Sequence, residues 1–356
     1  MNRLLVVRLG SLGDLVHTLP AVSAIHGTFP GLEIDWLVDG VHQEFLGLVP
    51  LVTTIVTLTA PTPRGWLDAL RVLRSRQYDA ALDFQGLVKS AALSRLSGAG
   101  RVIGFDRTGL REPAAAVFYR ERVPAAPGGH VIHKNLRLAA AVGTHATTME
   151  FPIRAVESEA LAAVQADDSS PFALLNPGAA WPNKRWPPDR FGRLARWLHD
   201  QHGLRSIALW GPGEDPLARA IVNASSGAAV EAPQTRLTDL VALSRAAKLV
   251  VSGDTGPTHI AAAVGTPVVA VFGPTDPLRN GPWDAGDRTL SRYTTCDCHY
   301  ERRCRRSGDQ WCLASIGEAE VREAVDARLR TGNVERVTGN VERVTGNGER
   351  GTGNGQ

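Results

Sequence analysis

The amino-acid sequence predicts an α/β protein in which two doubly wound domains face a shared cleft. Short apolar runs, typical of buried strands, alternate with apolar stripes at helical spacing, and this alternation occurs twice along the chain. A polar, proline-containing break at 144–170 separates the two series. The 356 residues also suit two domains of ~100–200 residues each. In folds of this class, ligands bind at the carboxyl ends of the parallel strands.

The first series occupies residues 1–155. It begins with an apolar strand at 4–7 and a loop containing two glycines, after which a helical stripe starts at Leu15. Asp14 precedes that stripe and can cap the helix. The other elements of this domain are strands at 34–38, 80–83 and 101–105 and helices at 66–74 and 89–96.

The second series, residues 156–330, repeats the alternation. Its elements are strands at 173–175, 206–210, 248–252 and 268–272 and helices at 189–201, 215–225, 237–245 and 258–264. Residues 331–356 differ, because a seven-residue unit, Thr-Gly-Asn-Val-Glu-Arg-Val, recurs there with valine as its only apolar residue type. We expect a disordered low-complexity repeat tail there rather than a coiled coil.

The composition limits the functions open to this chain. Thirty-nine basic and 36 acidic side chains leave a net charge of +3, which argues against a whole-surface nucleic-acid binder. No window approaches the ~18 uninterrupted apolar residues of a membrane-spanning helix. Arg8 and Asp14 interrupt the region in which a signal peptide needs an apolar core. We therefore expect a cytoplasmic protein.

The segment 252–263 combines a strand end, a tight Asp-Thr-Gly turn and the start of a helix. Backbone N–H groups at a helix amino terminus suit a phosphate or diphosphate. Pro257 fits the first turn of the helix because its φ angle is preset. His259 either contacts a ligand or lies in the core, and the whole turn could also be a simple capped helix.

A second strand end leads into a loop of tryptophan, proline and glycine that contains Lys184. Lysine is a common partner of phosphate, and a solvated surface loop would be an unusual place for Trp181 and Trp186. Glu214 follows a third strand, where doubly wound folds often bind a ribose hydroxyl. Asp215 competes for that role, and either carboxylate could instead be a helix N-terminal charge.

Polar side chains also follow the strands of the first domain. Asp14 could deprotonate a sugar hydroxyl or simply cap its helix, and His17, one turn later, could face a ligand or the core. Gln85, Lys89 and Arg111 lie near other strand ends, where they either bind an acceptor or are surface groups.

All four cysteines lie in one segment, at Cys296, Cys298, Cys304 and Cys312. Their spacing lacks the paired Cys-x2-Cys signature of a zinc site, and stable disulfides are rare in a reducing cytosol. The alternatives are a structural metal site and reduced thiols in a compact loop. Residues 292–306 also carry five arginines against two acidic groups, which suggests contact with an anionic lipid-linked acceptor or a membrane surface.

Six blocks of motifs, in order, resemble the bacterial heptosyltransferases of glycosyltransferase family 9, which have the GT-B fold of two Rossmann-like domains. The resemblance extends over nearly the whole chain to about Val325 and is greatest toward the heptosyltransferase I branch. The motifs are Arg8-Leu9-Gly10-Ser11-Leu12-Gly13-Asp14, Asp83-Phe84-Gln85-Gly86-Leu87-Val88-Lys89-Ser90, Arg111-Glu112-Pro113, Asn176-Pro177-Gly178 with Lys184-Arg185-Trp186-Pro187, Asp254-Thr255-Gly256-Pro257-Thr258-His259, and Phe272-Gly273-Pro274-Thr275-Asp276-Pro277.

The resemblance implies an inverting, metal-independent transferase without a cofactor, which moves heptose from ADP-heptose to the Kdo–lipid A inner core of lipopolysaccharide. By the resemblance, Asp14 is the general base and Lys184 contacts the donor diphosphate. The implied acceptor contacts in the first domain are Ser11, Gly13, His17, Gln85, Lys89 and Arg111. The implied donor contacts in the second domain are Asn176, Gly178, Lys184, Glu214, Asp254, Thr255, Gly256, Pro257 and His259. A lipid-linked acceptor implies an enzyme peripherally bound at the cytoplasmic face of the inner membrane.

Two alternatives stay open at this stage. One is a family 9 transferase that uses another nucleotide sugar or a different core or O-chain glycan, and the cysteine segment, which departs from heptosyltransferase I, leaves the acceptor open. The other is a non-catalytic nucleotide-sugar binding protein or a dehydrogenase. Gly10-x-x-Gly13-Asp14 matches the Gly-x-Gly-x-x-Gly dinucleotide motif poorly.

Overall fold

The computed structural model describes residues 1–59, 62–125, 128–145, 148–305 and 312–345, with side chains as far as Thr331. Within these residues the chain forms two parallel sheets of six strands each, with helices on both faces. This is the doubly wound α/β architecture that the sequence predicts.

The inner strands of the amino-terminal sheet are buried on both faces by the covering helices and are therefore mainly apolar, whereas its two edge strands are partly exposed. Its strands are β1 (Arg3–Val7), β2 (Glu33–Asp39), β3 (Thr54–Leu58), β4 (Ala80–Asp83), β5 (Arg101–Phe105) and β6 (Glu121–Val123). Its helices are α1 (Leu12–Val16), α2 (Leu19–Thr28), α3 (Gln43–Leu46), α4 (Pro63–Arg76), α5 (Val88–Leu96) and α6 (Val131–Ala140). The strand order is β3-β2-β1-β4-β5-β6.

The carboxyl-terminal sheet repeats this order as β9-β8-β7-β10-β11-β12. These strands are β7 (Phe172–Asn176), β8 (Arg205–Ala208), β9 (Ala229–Glu231), β10 (Leu249–Gly253), β11 (Val268–Phe272) and β12 (Arg288–Ser291). The helices are α7 (Glu159–Asp167), α8 (Pro188–His202), α9 (Asp215–Ala224), α10 (Leu237–Ala246), α11 (Gly256–Ala263), α12 (Pro277–Asn280) and α13 (Glu318–Thr345).

Each sheet reverses its direction of winding between its first and fourth strands, β1 and β4 in one domain and β7 and β10 in the other. Loops that leave such neighbouring strands diverge to opposite faces of the sheet and leave a crevice at the carboxyl ends. The fold therefore provides one crevice in each domain.

One apolar core runs through both domains. It contains Leu19 and Phe45 of the first domain together with Val241 and Ile260 of the second. At its border the hydroxyl of Thr238 donates a hydrogen bond to Glu44 at 2.9 Å. The two crevices are therefore held in a fixed relation by packing.

Two local features differ from the sequence prediction. The helix expected from Leu15 is divided into α1 and α2, because Pro20 has no N–H to continue the ladder and the Thr18 hydroxyl binds the Asp14 carbonyl at 2.8 Å. In addition, α13 extends into the repeat segment that the sequence predicts to be disordered. Residues 346–356 lie outside the described part of the chain, so the tail, like the domain limits 1–155 and 156–330, stays a prediction.

Candidate active site

The two crevices open toward each other because α1 of the first domain packs against α11 of the second. The domains approach closely at Gly13, where a Cβ atom would lie 2.3 Å from Cδ2 of His259. Such a distance is far inside van der Waals contact, so the position requires glycine. The loop after β1 and the turn after β10 are thereby brought together in one cleft.

Asp14 lies in the first turn of α1, on the first-domain side of the cleft. Its Oδ2 accepts hydrogen bonds from the backbone N–H (3.1 Å) and the hydroxyl (3.3 Å) of Ser11. Its Oδ1 lies 2.5 Å from a guanidinium nitrogen of the buried Arg8. The Asp14 side chain is nevertheless 31% exposed. The N-cap residue of α1 is Ser11, so the prediction that Asp14 is the N-cap is wrong: Asp14 is the third residue of the helix and accepts from the N–H of Ser11. Asp14 also remains accessible to a ligand.

Arg8 and Gln85 hold the loop that carries Asp14. Arg8 donates to a backbone carbonyl of the loop after β4. The amide oxygen of Gln85 accepts hydrogen bonds from the backbone N–H groups of Leu9 (2.9 Å) and Gly10 (3.2 Å). The structure therefore shows Gln85, which the resemblance implies as an acceptor contact, in a positioning role.

The second-domain side of the cleft is organised around the buried carboxylate of Asp254. It accepts from the ammonium of Lys184 at 2.6 Å and the hydroxyl of Thr275 at 2.7 Å, and it lies 3.3 Å from Nε2 of His259. Burial alone would raise the pKa of Asp254, but the hydrogen bond from His259 and the charge of Lys184 outweigh it. They hold the pKa of Asp254 well below its ordinary value. Asp254 is therefore a fixed negative charge that positions a lysine and a histidine.

Lys184 approaches Asp254 from the short 3-10 helix Pro182–Lys184 that follows β7. Its ammonium nitrogen also lies 4.6 Å from the centre of the Trp181 indole ring. The aromatic contact and the ion pair both restrict a side chain that would otherwise be flexible. This accounts for a tryptophan in a loop, the feature that the sequence prediction noted.

Asn176 ties the ends of β7 and β10 together. Its side-chain amide donates to the hydroxyls of Ser252 at 2.9 Å and Thr255 at 3.0 Å. Thr255 directly precedes α11, whose first two residues are Gly256 and Pro257. The amino terminus of α11 is thus anchored beside the Lys184 loop.

Glu214 lies directly over Gly178, where a Cβ atom would be 2.0 Å from its Oε2. It accepts from the backbone N–H of Gly211 at 3.2 Å and lies 3.5 Å from Arg185. Asp215, the competing carboxylate, instead forms an ion pair with Arg219 on the surface of α9. Of the two, Glu214 is the one beside the end of β7.

Three imidazole rings meet where the domains touch. The ring centre of His17 lies 4.4 Å from that of His259 and 5.3 Å from that of His130. His130 Nε2 is 2.9 Å from the carbonyl oxygen of Gly281 in the second domain. Burial, followed by the charges of the neighbouring imidazoles, lowers the pKa of His17 well below its ordinary value. His17 is therefore a neutral group of the domain contact.

Lys134 belongs to no sequence motif but is also at the cleft. Its ammonium lies 2.5 Å from the carbonyl oxygen of Gly109. Burial, together with the positive charges of Arg279 and Arg8, lowers the pKa of Lys134 to about 8, while Asp14 acts in the opposite direction. Lysine is scarce in this sequence, which contains four, and this scarcity is the sequence signal that marks Lys134.

The four cysteines form a small cluster in the second domain. The Sγ atoms of Cys296 and Cys312 are 3.8 Å apart, and those of Cys298 and Cys304 are 4.0 Å apart. In the described part of the chain, no group of three or more His, Cys, Asp or Glu side chains is arranged to hold a metal ion. The four cysteines form no disulfide, and the two alternatives, a structural metal site and reduced thiols, both stay hypotheses.

The arginines of this cysteine segment are largely engaged within the protein. Arg292 pairs with Glu320 at 2.7 Å, Arg305 pairs with Glu301, and Arg302 lies over the Trp181 ring. Arg306 lies outside the described residues. No helix in the described ranges is long and apolar enough to cross a bilayer.

Comparisons with known proteins agree with the motifs. Residues 66–308 match Glycosyltransferase family 9 (heptosyltransferase). The chain is 29% identical over 312 residues to lipopolysaccharide heptosyltransferase 1 of Pseudomonas aeruginosa, which covers 85% of this chain and 87% of that protein. It is 31% identical over 287 residues to lipopolysaccharide heptosyltransferase 1 of Escherichia coli K12, which covers 77% of this chain and 89% of that protein.

A solved structure shares both domains. E. coli heptosyltransferase WaaC with ADP-2-deoxy-2-fluoro heptose superposes with a TM-score of 0.72 at 26% identity, covering 91% of this chain and 99% of that chain. The family match extends over more than half of the sequence, and the superposition includes both sheets. The predicted resemblance is confirmed: the chain belongs to glycosyltransferase family 9 and is a glycosyltransferase with the GT-B fold.

Proposed function

We propose that this glycosyltransferase moves a heptose from ADP-heptose to the inner core of lipopolysaccharide, on an acceptor of the Kdo–lipid A type. Two relatives carry the name lipopolysaccharide heptosyltransferase 1, and a solved relative holds an ADP-heptose analogue. The observation that carries the proposal is the contact of Gly13 with His259. It brings an accessible carboxylate, Asp14, next to a cationic site organised by Asp254.

The donor diphosphate would bind between Lys184 and the amino terminus of α11. An ammonium has three N–H donors, and the ion pair with Asp254 orients the group while leaving donors for phosphate oxygens. The backbone N–H groups at the start of α11 add positive partial charge. Glu214, beside Gly178 at the end of β7, would accept from the ribose hydroxyls.

The transfer would be a single displacement at C1 of the sugar. An acceptor hydroxyl attacks from the face opposite the diphosphate, the new C–O bond forms, and the bond from C1 to the phosphate oxygen breaks with its electron pair going to ADP. Asp14 takes the hydroxyl proton as the new bond forms. The product therefore has the inverted configuration at C1.

Asp14 is suited to this role because both of its oxygens are fixed before the acceptor arrives. Arg8 holds Oδ1, and Ser11 donates to Oδ2. A carboxylate with one preset orientation reaches a proton without first losing conformational freedom. Its 31% exposure leaves room for the hydroxyl.

Charge that develops on the departing diphosphate would be stabilised by the chain itself. Lys184 and the N–H groups of α11 are fixed donors, and fixed donors need no reorganisation during the reaction. We therefore propose turnover without a catalytic metal ion.

The acceptor side is cationic near Asp14. Lys134 lies close to Arg8 of the first domain and to Arg279 of the second. The positive charges of these two arginines lower the pKa of Lys134. A Kdo residue carries a carboxylate, and cations in a partly buried cleft recognise such a group. Since the acceptor is anchored in lipid, we propose a cytoplasmic enzyme that acts at the inner membrane surface.

The test is transfer from ADP-heptose to a detergent-solubilised Kdo–lipid A acceptor, followed by the mass of the product. We expect a gain of one heptose residue, inversion at C1 by NMR, and an undiminished rate in excess EDTA. ADP-glucose, UDP-glucose and GDP-mannose at equal concentration serve as comparison donors. Transfer from one of these but not from ADP-heptose, or a rate abolished by EDTA, would refute the corresponding part of the proposal.

A further inference from the structure

Exposed apolar side chains concentrate on one face of the first domain. Of the ten large apolar side chains that are exposed among the described residues, five lie on α4, α5 and the 3-10 helix Pro113–Phe118. Between 37% and 61% of the surface of each is accessible. These five are Leu67, Val72, Val88, Leu96 and Val117.

The same three elements are strongly basic. Together they contain six basic residues and one acidic residue, Asp68, a net charge of +5 that exceeds the +3 of the whole chain. The rest of the protein is therefore net negative. Exposed cations of these elements are Arg64, Arg71, Arg74, Lys89 and Arg95.

These elements form one continuous layer, which we call the outer face. They cover the same side of the amino-terminal sheet, and their inner residues share one apolar cluster. The Arg74 guanidinium donates to the Leu96 carbonyl at 3.0 Å, which joins α4 to α5. Glu112 accepts from the Val88 N–H at 2.7 Å, which joins α5 to the 3-10 helix.

Among the described residues, the apolar cluster beneath the outer face contains first-domain side chains alone, and the outer face adjoins the acceptor side of the cleft. The helices that contact the second domain belong to the opposite side of the sheet, where the core contains Leu19 and Phe45. The loop that leads into α5 contains Gln85, which holds the Asp14 loop. A ligand anchored beside α5 would therefore reach the cleft along a short path.

We propose that the outer face docks this enzyme on an anionic membrane surface. Isolated apolar side chains between arginines suit the boundary of a bilayer, since the apolar groups enter the acyl region while guanidinium groups bind lipid phosphates. A symmetric contact between two copies of this face would place like charges together. The inference rests on the lipid-linked acceptor of the proposed function.

The test is sedimentation of the full-length protein with vesicles of phosphatidylethanolamine and phosphatidylglycerol, compared with phosphatidylcholine alone. We expect binding to the anionic vesicles that weakens with salt. The variant Arg64→Gln/Arg71→Gln/Arg95→Gln removes three positive charges. Each charge contributes about fivefold to the affinity for anionic vesicles, so the affinity should fall about 100-fold. The variant Leu67→Ser/Val72→Ser/Leu96→Ser removes the inserted groups and also weakens binding.

A matched control replaces three exposed arginines of the second domain, Arg193, Arg196 and Arg219, with glutamine, and it should bind vesicles as the parent does. Unchanged thermal stability and ADP affinity show that the outer-face variants are folded. The proposal is overturned if these variants bind vesicles as well as the control does, or if they instead abolish self-association in sedimentation equilibrium.

Activity separates this proposal from the proposed function. We expect the outer-face variants to transfer sugar normally to a detergent-solubilised acceptor and slowly to the same acceptor in vesicles. Equal rates in both settings would refute the docking face while leaving the transferase assignment intact. Absence of transfer by the parent protein in detergent would refute the proposed function, and vesicle binding would still test the face.

Discussion

Asp14 and Asp254 both follow a strand at the crevice of their sheet, yet their surroundings differ. Asp254 is buried and receives a lysine, a threonine hydroxyl and a histidine, so its charge is neutralised within the protein. Asp14 is held by Arg8 and Ser11 but remains partly exposed. Two doubly wound domains with the same strand order thus place carboxylates with different surroundings on the two sides of one cleft.

The difference in burial and bonding has a chemical consequence for each carboxylate. A buried, fully bonded carboxylate cannot take up a proton near neutral pH, because that would break its ion pair, and so it serves as a positioning group. A partly exposed carboxylate can take up a proton from a neighbouring hydroxyl. Substitutions on the two sides should therefore produce different kinetic results.

The largest effect is expected from Asp14→Asn, which preserves size and removes the proton acceptor. We expect kcat to fall about 10²–10⁴-fold, while calorimetry gives an unchanged affinity for ADP-heptose because Lys184 and α11 are untouched. Asp215→Asn, at a half-buried carboxylate that pairs with Arg219 on the surface of α9, is the matched control and should retain activity. Turnover of Asp14→Asn within a few-fold of the parent would show that another group accepts the proton.

The next effect is expected from Lys184→Ala, which should weaken ADP-heptose binding and lower kcat about 10²-fold, as loss of one fixed donor does. This change also leaves Asp254 buried without its cation, which destabilises the fold. The double variant Lys184→Ala/Asp254→Asn separates the two causes. Thermal stability should return in the double variant and activity should not; recovery of both would mean that Lys184 serves the structure alone.

The inner strands of both sheets could be predicted from the sequence, and the outer ones could not. β1, β4, β7 and β10 are buried on both faces and appear as continuous apolar runs. The strands absent from the prediction, β3, β6, β9 and β12, are the edge strands of the two sheets. An edge strand is paired on one side and partly exposed, so it lacks the apolar run that marks a buried strand.

The candidate site divides in the same way. Asp14, Lys184 and Asp254 belong to local motifs at strand ends, and their proximity follows from the topology of a parallel sheet. Lys134, His130 and the role of Gln85 depend on which distant loops meet across the cleft. A single sequence contains no local signal for such contacts.

A smaller effect is expected from Gly13→Ala, which tests whether the contact between the two sides matters. The added Cβ would lie 2.3 Å from His259, so the domains must separate slightly and Asp14 moves away from the donor. We expect kcat to fall about tenfold, less than the 10²-fold that a 1 Å misplacement can cause. Gly27→Ala is the control, because a Cβ at Gly27 on α2 meets nothing within 4 Å. Equal activity of the two variants would mean that this contact is not needed for turnover.

The smallest effect concerns the imidazoles between the two sides. Burial and the neighbouring imidazoles lower the pKa of His17, so as pH falls through the ordinary histidine value of about 6.5 the unfolded chain takes up a proton that the folded protein refuses. The free energy of unfolding is therefore unaffected by His17 above that pH. Below it, the free energy of unfolding declines by at most about 1.4 kcal/mol per pH unit for one such group. His17→Gln should flatten this decline between pH 7 and 5.5 in thermal unfolding.

The comparison of parent and His17→Gln isolates this histidine from other groups that titrate in the same range. Burial raises the pKa of Asp287 to about 6, which favours the folded state as pH falls and opposes the effect of His17. Asp287 is present in both proteins, so its contribution cancels in the difference between their melting temperatures. That difference should shift in favour of the variant as pH falls. If the melting temperatures of the two proteins instead change in parallel from pH 7 to 5.5, His17 accepts a proton as readily in the folded protein as in the unfolded chain. The domain contact would then not bury His17.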